Sequence, residues 1–314
     1  MEAISVINSR MYQEQDYNRV MEFLKEMYRF NKNQHCWLPQ RWEYAHHLVN
    51  PLYIERGHPD CQQFIKIWED DGKIVGLVHP EDTYNTFLQI RPGYRHLESE
   101  MISWAEDSIS KTMEDTQDKK LVIWVNDSDS YRKHLLKNRG YKKGRECSYL
   151  NVQDLDNEFS PELPEGYSIS SMVEDIELLH RYNVINKAFH PEDDYQDQVP
   201  ESFLQMIEAP MYRRELDLVI QHRDGSLAAS CTIWYDQQNK MAMFEPVGTH
   251  PEHRKKGLGK ALLLSGLKRL KEMGAELAYV ESYGESKYSF YSSVGFKAYD
   301  KAYPWEKLFN QQCK

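Results

Sequence analysis

Val247-Gly-Thr-His-Pro-Glu-His-Arg-Lys-Lys-Gly-Leu-Gly-Lys-Ala-Leu262 is the stretch on which the reading of this chain turns. It follows a strand-like run, Met241–Val247, and opens an amphipathic helix. Leu258, Ala261, Leu262, Leu267 and Leu270 supply the inward stripe of that helix, and Leu263 and Leu264 widen it. From Pro251 to Lys271 stand seven basic residues and one acidic, a charge of +6. The whole chain carries 39 Lys and Arg against 49 Asp and Glu, a net charge of −10. Glycines at 257 and 259 let the backbone come close to a ligand, and the first N–H groups of the helix point outward unpaired. With the helix dipole and flanking lysines, such a start binds phosphate or pyrophosphate. Gly-x-Gly alone fits an ordinary solvated loop better, so the surroundings must decide.

Two well-known phosphate loops are excluded. A Walker A loop needs Gly five residues before Gly259 and Ser or Thr after Lys260, where this chain has Arg254 and Ala261. The dinucleotide fingerprint needs a third glycine where Leu262 stands. What remains is Arg254-x-x-Gly257-x-Gly259 between a strand and a long helix.

Working outward, the chain repeats itself once. Phe64–Trp68, Asp71-Gly72 and Ile74–Val78 read as a hairpin, as do Leu216–Ile220, Asp224-Gly225 and Leu227–Cys231. The two turns are 153 residues apart. Each hairpin is followed by a strand, a helix, a strand, a short helix and a Gly-aromatic pair. The first half has Phe87–Ile90, Leu97–Met113, Leu121–Val125, Ser130–Asn138 and Gly140-Tyr141. The second has Met241–Val247, Leu258–Met273, Leu277–Glu281, Lys287–Ser293 and Gly295-Phe296, and the last pair keeps a lag of 155. Several elements in one order at one lag make a duplicated unit. The acidic segment Asn151–Gly166, with two prolines and no period, reads as the seam, and a new strand opens at Tyr167–Met172. The expected division is 1–152, a linker 153–166, and 167–314, each half an α/β or α+β layered domain.

Length and composition agree with two ordinary domains. The chain has 314 residues, 40% hydrophobic and 12% aromatic, which suffices for packed cores. An acidic chain repels phosphate backbones, which disfavours nucleic acid as a partner. The longest apolar run, Leu121–Val125, is far short of a membrane helix, and Met1-Glu2-Ala3-Ile4 does not open a secretory signal. The expectation is a soluble, cytoplasmic protein, monomeric or homodimeric, with no membrane partner. Cysteines at 36, 61, 147, 231 and 313 form no Cys-x-x-Cys pair, and His35, His46 and His47 lack metal spacing, so no metal is expected. His250 and His253 read as surface residues and Cys231 as a core thiol.

Arg254-x-x-Gly257-x-Gly259 after a strand resembles motif A of the GCN5-related N-acetyltransferases, and Phe290-Tyr291-Ser-Ser-Val-Gly295-Phe296 resembles their motif B. The likeness covers residues 167–314. It implies two tandem domains, each a mixed, mostly antiparallel sheet flanked by helices. It also implies acetyl-coenzyme A as co-substrate, its pyrophosphate wrapped by Val247, Gly248, Thr249, Arg254, Lys255, Lys256, Gly257, Leu258, Gly259 and Lys260. Met241–Val247 would splay from Leu277–Glu281 to admit the pantetheine arm. Tyr291 falls where the family places the acid that protonates the departing thiolate, and Glu245 where it draws a base or a water-positioning carboxylate. The family often has Asn and Ala where this chain has Gly284 and Lys287, with Ser286 the substitute contact. In the first half Glu98 and Glu100 align with Gly257 and Gly259, and Leu136 with Tyr291. That half reads as a degenerate copy, its carboxylates repelling pyrophosphate.

The implied reaction is acetyl transfer, by direct attack, to the primary amine of a small, polar, positively charged acceptor, with a backbone N–H near Val247 holding the oxyanion. Two alternatives stay open: a longer acyl group or a peptide N-terminus as acceptor, and a module that binds or senses acetyl-coenzyme A without turnover.

Overall fold

A computed structural model describes residues 7–30, 37–82, 85–112 and 119–309. His35, Cys36, Met113 and Cys313 lie outside the described residues. The chain divides into two compact units, Met1–Ser148 with Asp300–Lys314, and Tyr149–Tyr299.

The first unit runs β1 (Asn8–Met11), α1 (Tyr17–Phe30), α2 (Pro39–Tyr44), α3 (Asn50–Glu55), β2 (Lys66–Asp70), β3 (Lys73–Pro80), β4 (Asn85–Ile90), α4 (Glu98–Thr112), β5 (Lys119–Asn126), α5 (Ser130–Asn138) and β6 (Lys142–Lys143). β1 to β4 pair antiparallel in sequence order, and β4 pairs parallel with β5. Between β2 and β3, Asp71 and Gly72 both take positive φ, +46° and +72°, which is the tight two-residue turn that Asp-Gly favours. Phe64 falls just outside β2, in a 3-10 turn over Cys61–Phe64. The core gathers Val75, Leu88, Met101, Ile102, Ile123 and Leu136 between the sheet and α4 and α5.

The second unit runs β7 (Ser148–Asp154), β8 (Tyr167–Ser171), α6 (Leu178–Phe189), α7 (Glu201–Ile207), β9 (Asp217–His222), β10 (Leu227–Asp236), β11 (Met241–Thr249), α8 (Leu258–Glu272), β12 (Leu277–Tyr283) and α9 (Gly284–Val294). Its sheet order is β7-β12-β11-β10-β9-β8. β11 and β12 pair parallel, and β8 to β11 pair antiparallel in sequence order. Alternation along β10 sends Cys231 and Ile233 into the core under α8, and sends Ser230 and Thr232 to the opposite face, where both bond Arg181 of α6. Cys231 is fully buried, as its sequence context suggests, and burial pushes its thiol far above the usual range.

These units differ from the sequence-based segments at both ends of the second one. Residues 153–166, read as a linker, supply the end of β7 and then bury Leu155 and Phe159 in the second core. Those two apolar residues, four apart, anchor a segment whose charges and prolines hide them from a periodicity reading. The last strand, β13 (Lys297–Phe309), leaves the second unit after Tyr299. Its Ala302–Phe309 stretch pairs antiparallel with β5 and buries Trp305 in the first core. That pairing satisfies an edge which β5 would otherwise leave open.

Candidate active site

β11 and β12 hold only three parallel pairs, Met241–Leu277, Ala242–Ala278 and Met243–Tyr279. Beyond them lies a cavity of about 1040 Å³ within the second unit, with Phe244–Thr249 of β11 on one side and Glu281–Tyr283 of β12 on the other. A bulge shapes the first wall. Cys231 faces Val247 and Ile233 faces Phe244, so Thr232 opposes both Glu245 and Pro246.

At one end stands the glycine loop. Gly257 is the N-cap of α8 at φ +81°, a left-handed conformation that other residues adopt only with strain. Ala261 N–H closes the first helical turn on the Gly257 carbonyl at 3.0 Å, and no described side chain caps the amides before it. Gly259 is needed for clearance: a Cβ there would sit 3.1 Å from Phe290 Cζ and 3.5 Å from Thr249 Oγ1. α8 and α9 touch at that point. Arg254 pins the loop from outside, donating to the Ala188 carbonyl at 2.8 Å and more weakly to Thr249 at 3.3 Å.

Of the sequence-expected residues, Glu245, Val247, Gly248, Thr249, Arg254, Lys255, Gly257, Leu258, Gly259, Lys260, Ser286 and Tyr291 all line this cavity. Lys256 does not; its Nζ donates to the Tyr167 hydroxyl at 3.1 Å and lies 5.8 Å from the ring centre. Tyr291 packs its ring against Phe290 and Phe296 and against the second core. Burial, and then the Glu245 charge, hold its phenol protonated well beyond the usual tyrosine range. Glu245 and Tyr291 are therefore electrostatic neighbours although 46 residues separate them in sequence.

The structure adds wall residues that no local pattern singles out, among them Phe189 from the end of α6, Glu281, Ser282 and Tyr283 from β12, and Lys287 from α9. Phe189 reaches the site only because α6 packs on Gly248, a long-range contact without a local sequence signal.

One expectation is corrected. His250 is buried rather than a surface residue, because Tyr195 stacks over its ring and shares a 2.8 Å hydrogen bond with Nε2. His253 is half-buried and shares a 2.9 Å bond with the Tyr167 hydroxyl. Burial lowers both imidazole pKa values, which keeps the rings neutral to lower pH than usual. With Glu252, these histidines place three potential ligand atoms within 4.8 Å of one another, but each ring already has a tyrosine partner.

The matching place in the first unit is filled. β4 and β5 also pair over a short stretch, Asn85–Val122 and Thr86–Ile123. Arg132 of α5 bonds Glu98 Oε2 at 2.9 Å and the Leu88 carbonyl at 3.0 Å, with both side chains buried. Arg95 pairs with Glu98 as well, and Glu100 accepts from Trp68 Nε1 at 2.8 Å. The carboxylates therefore work by occupying the first turn of α4 with internal partners, not by projecting charge at a ligand as the sequence suggested. Leu136, opposite Tyr291, is fully buried core.

Residues 181–299 match the family model of the acetyltransferase (GNAT) domain. Mycothiol acetyltransferases of Streptomyces coelicolor and Streptomyces avermitilis are 27% and 26% identical over 188 residues, 58% of this chain. The match spans only 60% of the length of those relatives. A GCN5-related N-acetyltransferase from Sphaerobacter thermophilus superposes with a TM-score of 0.69 at 16% identity, covering 98% of this chain and 97% of its own. A tandem GNAT protein from the clavulanic acid biosynthesis pathway does so with 0.63 at 15%, covering 97% and 98%. Motif, cavity and family model agree that residues 181–299 carry a GNAT acetyltransferase domain, and the whole chain shares the two-domain arrangement of these GNAT neighbours.

Proposed function

We propose that the second unit transfers an acetyl group from acetyl-coenzyme A to the primary amine of a small, positively charged acceptor. One observation carries this reading: a single cavity joins an uncapped, lysine-flanked helix start to a phenol and a carboxylate. The residues fit the co-substrate. The α8 amides with Lys255 suit a pyrophosphate, and the gap between β11 and β12 suits a narrow pantetheine arm. Bound there, acetyl-coenzyme A supplies an activated acyl thioester.

The chain's own groups then have distinct tasks. Glu245 takes a proton from the acceptor ammonium, directly or through water, because only the free amine attacks. A backbone N–H near Val247 donates to the carbonyl oxygen as negative charge develops on it. The Tyr291 hydroxyl donates to the leaving sulfur. Its raised pKa makes that transfer more uphill than the ordinary values, about 10 for tyrosine against about 8.5 for a thiol.

The acceptor's charge is read from the mouth. Glu245 and Glu281 line the cavity, and the α6–α7 connection, one residue beyond Phe189, carries Glu192, Asp193, Asp194 and Asp197. These carboxylates favour a cation beside them, while the cations of the same cavity, Arg254, Lys255, Lys260 and Lys287, favour the coenzyme's anionic groups. The named relatives, acetyltransferases of mycothiol, support a small molecule over a peptide. A panel of amines and acyl-coenzyme A thioesters, followed by free-thiol release, tests the proposal. Turnover of a cationic amine with acetyl-coenzyme A, slowing as salt rises to about 0.5 M, is the expected result. Faster turnover of anionic acceptors at low salt rejects the acceptor class, and no thiol release with any amine rejects the reaction.

A further inference from the structure

The strand that carries Glu245 is irregular where that residue stands. Thr232 opposes both Glu245 and Pro246, and the parallel pairs with β12 reach only to Met243. A strand that departs from its ladder at one step needs another constraint to hold a side chain in one direction. Here that constraint is an indole. Trp234 lies on β10 and alternation puts it on the same face as Ser230 and Thr232. Its Nε1–H donates to the Glu245 carbonyl at 2.6 Å. A carbonyl that meets a side chain standing off the sheet has turned out of the ladder plane, which fixes ψ of Glu245 and so the direction of its Cβ. The donor is itself held. The indole is fully buried and meets Tyr212 edge-on, 6.4 Å between ring centres. Tyr212 donates to Asp217 at 2.9 Å, and Asp217 accepts from Arg181 at 2.7 Å.

On the reading that Glu245 takes the proton of the acceptor ammonium, we propose that Trp234 is a positioning residue for that step. It touches neither substrate, since Trp234, Tyr212, Asp217 and Arg181 all lie outside the cavity wall. It acts through one backbone carbonyl, which aims the carboxylate of the next wall residue. Proton transfer needs the carboxylate within hydrogen-bond reach of the ammonium or of one bridging water. A misplacement of about 1 Å is enough to cost roughly 100-fold in rate.

The test is a double-mutant cycle on the full chain, read by free-thiol release from acetyl-coenzyme A with putrescine, spermidine and glucosamine as acceptors. Trp234→Phe removes the donor but leaves a gap. Replacing Trp234 by benzothienylalanine keeps the bicyclic shape and puts sulfur where the N–H stood, so a folding defect in the first variant does not decide the outcome. Each should lower kcat roughly 10- to 100-fold near neutral pH and leave acetyl-coenzyme A affinity unchanged in calorimetry. Neither should add a loss to Glu245→Gln. The loss should also shrink as pH rises toward the pKa of the acceptor ammonium, about 10 for an alkyl amine, because a free amine needs no base. Full activity of the benzothienylalanine enzyme overturns the inference alone, as does a loss that multiplies with that of Glu245→Gln or stays constant with pH. A wild type that turns over while Glu245→Gln loses nothing overturns the reading of Glu245, and the inference with it. No thiol release with any of the three amines overturns the reading of the reaction.

Discussion

Tyr291 and Asp217 are single residues whose surroundings decide their behaviour. Tyr291→Phe keeps the ring contacts with Phe290 and Phe296 but removes the hydroxyl proposed as the proton donor. Acetyl-coenzyme A affinity should stay nearly constant while kcat falls roughly 10- to 10⁴-fold; an unchanged kcat would assign the proton to another group. The pH dependence has a definite sign. Because the folded pKa of Tyr291 is raised, the phenol is fully protonated throughout the range below about 10. Any alkaline fall in kcat/KM below that pH must therefore survive in Tyr291→Phe, which a pH profile of the two enzymes checks. Asp217 sits on the other face of the sheet, fully buried, accepting from Arg181 Nε at 2.7 Å and the Tyr212 hydroxyl at 2.9 Å. Arg181 also donates to Ser230 at 3.0 Å and Thr232 at 2.9 Å, tying α6 to β9 and β10. Burial pushes the Asp217 carboxyl up while the guanidinium pulls it back. Asp217→Ala leaves a buried unpaired guanidinium and should cost about 3–5 kcal/mol in denaturant unfolding. A loss below about 1 kcal/mol would mean that the ion pair is structurally idle.

At the scale of elements, α8 and α4 are the same helix in two states. α8 begins at a left-handed glycine with its first amides open to a cavity. α4 begins with Glu98, whose carboxylate is held by Arg132 and Arg95. Gly259→Glu should abolish acetyl-coenzyme A binding by calorimetry, since it puts a carboxylate at the helix start and a Cβ 3.1 Å from the Phe290 ring. Circular dichroism should remain near wild type, because the loop around it is exposed; retained binding would move the pyrophosphate elsewhere. The hairpins, the α8 stripe and the β–α–β–α order were legible because period-2 and period-3.6 patterns and Asp-Gly turns are local signals. The bulge opposite Thr232 and the three-pair limit of the β11–β12 ladder were not, because register depends on partner strands.

For the whole molecule, the candidate site lies within the second of two units. Calorimetry should give one acetyl-coenzyme A per chain, held by residues of Tyr149–Tyr299, because Arg132 and Glu98 fill the corresponding space in the first unit. Two equivalent sites would remove the degenerate reading of the first half. Removing Glu98 alone should not restore a site there, since Arg132 still reaches the Leu88 carbonyl and Leu136 still replaces the phenol.

By itself the sequence determined the duplicated unit, the glycine loop, and a set of candidate site residues of which all but Lys256 line one cavity. These are legible because a phosphate-binding helix start is made from consecutive residues and needs no distant partner to be recognised. Tertiary structure alone decided that residues 153–166 pack into the second unit, that Ala302–Phe309 completes the first sheet, and that Glu98 is an internal ion-pair partner. It also brought Phe189, Glu281 and Lys287 to the wall. Each of those outcomes is set by a contact between residues far apart in the chain, where burial of a few apolar groups or the pairing of one buried charge outweighs the local pattern.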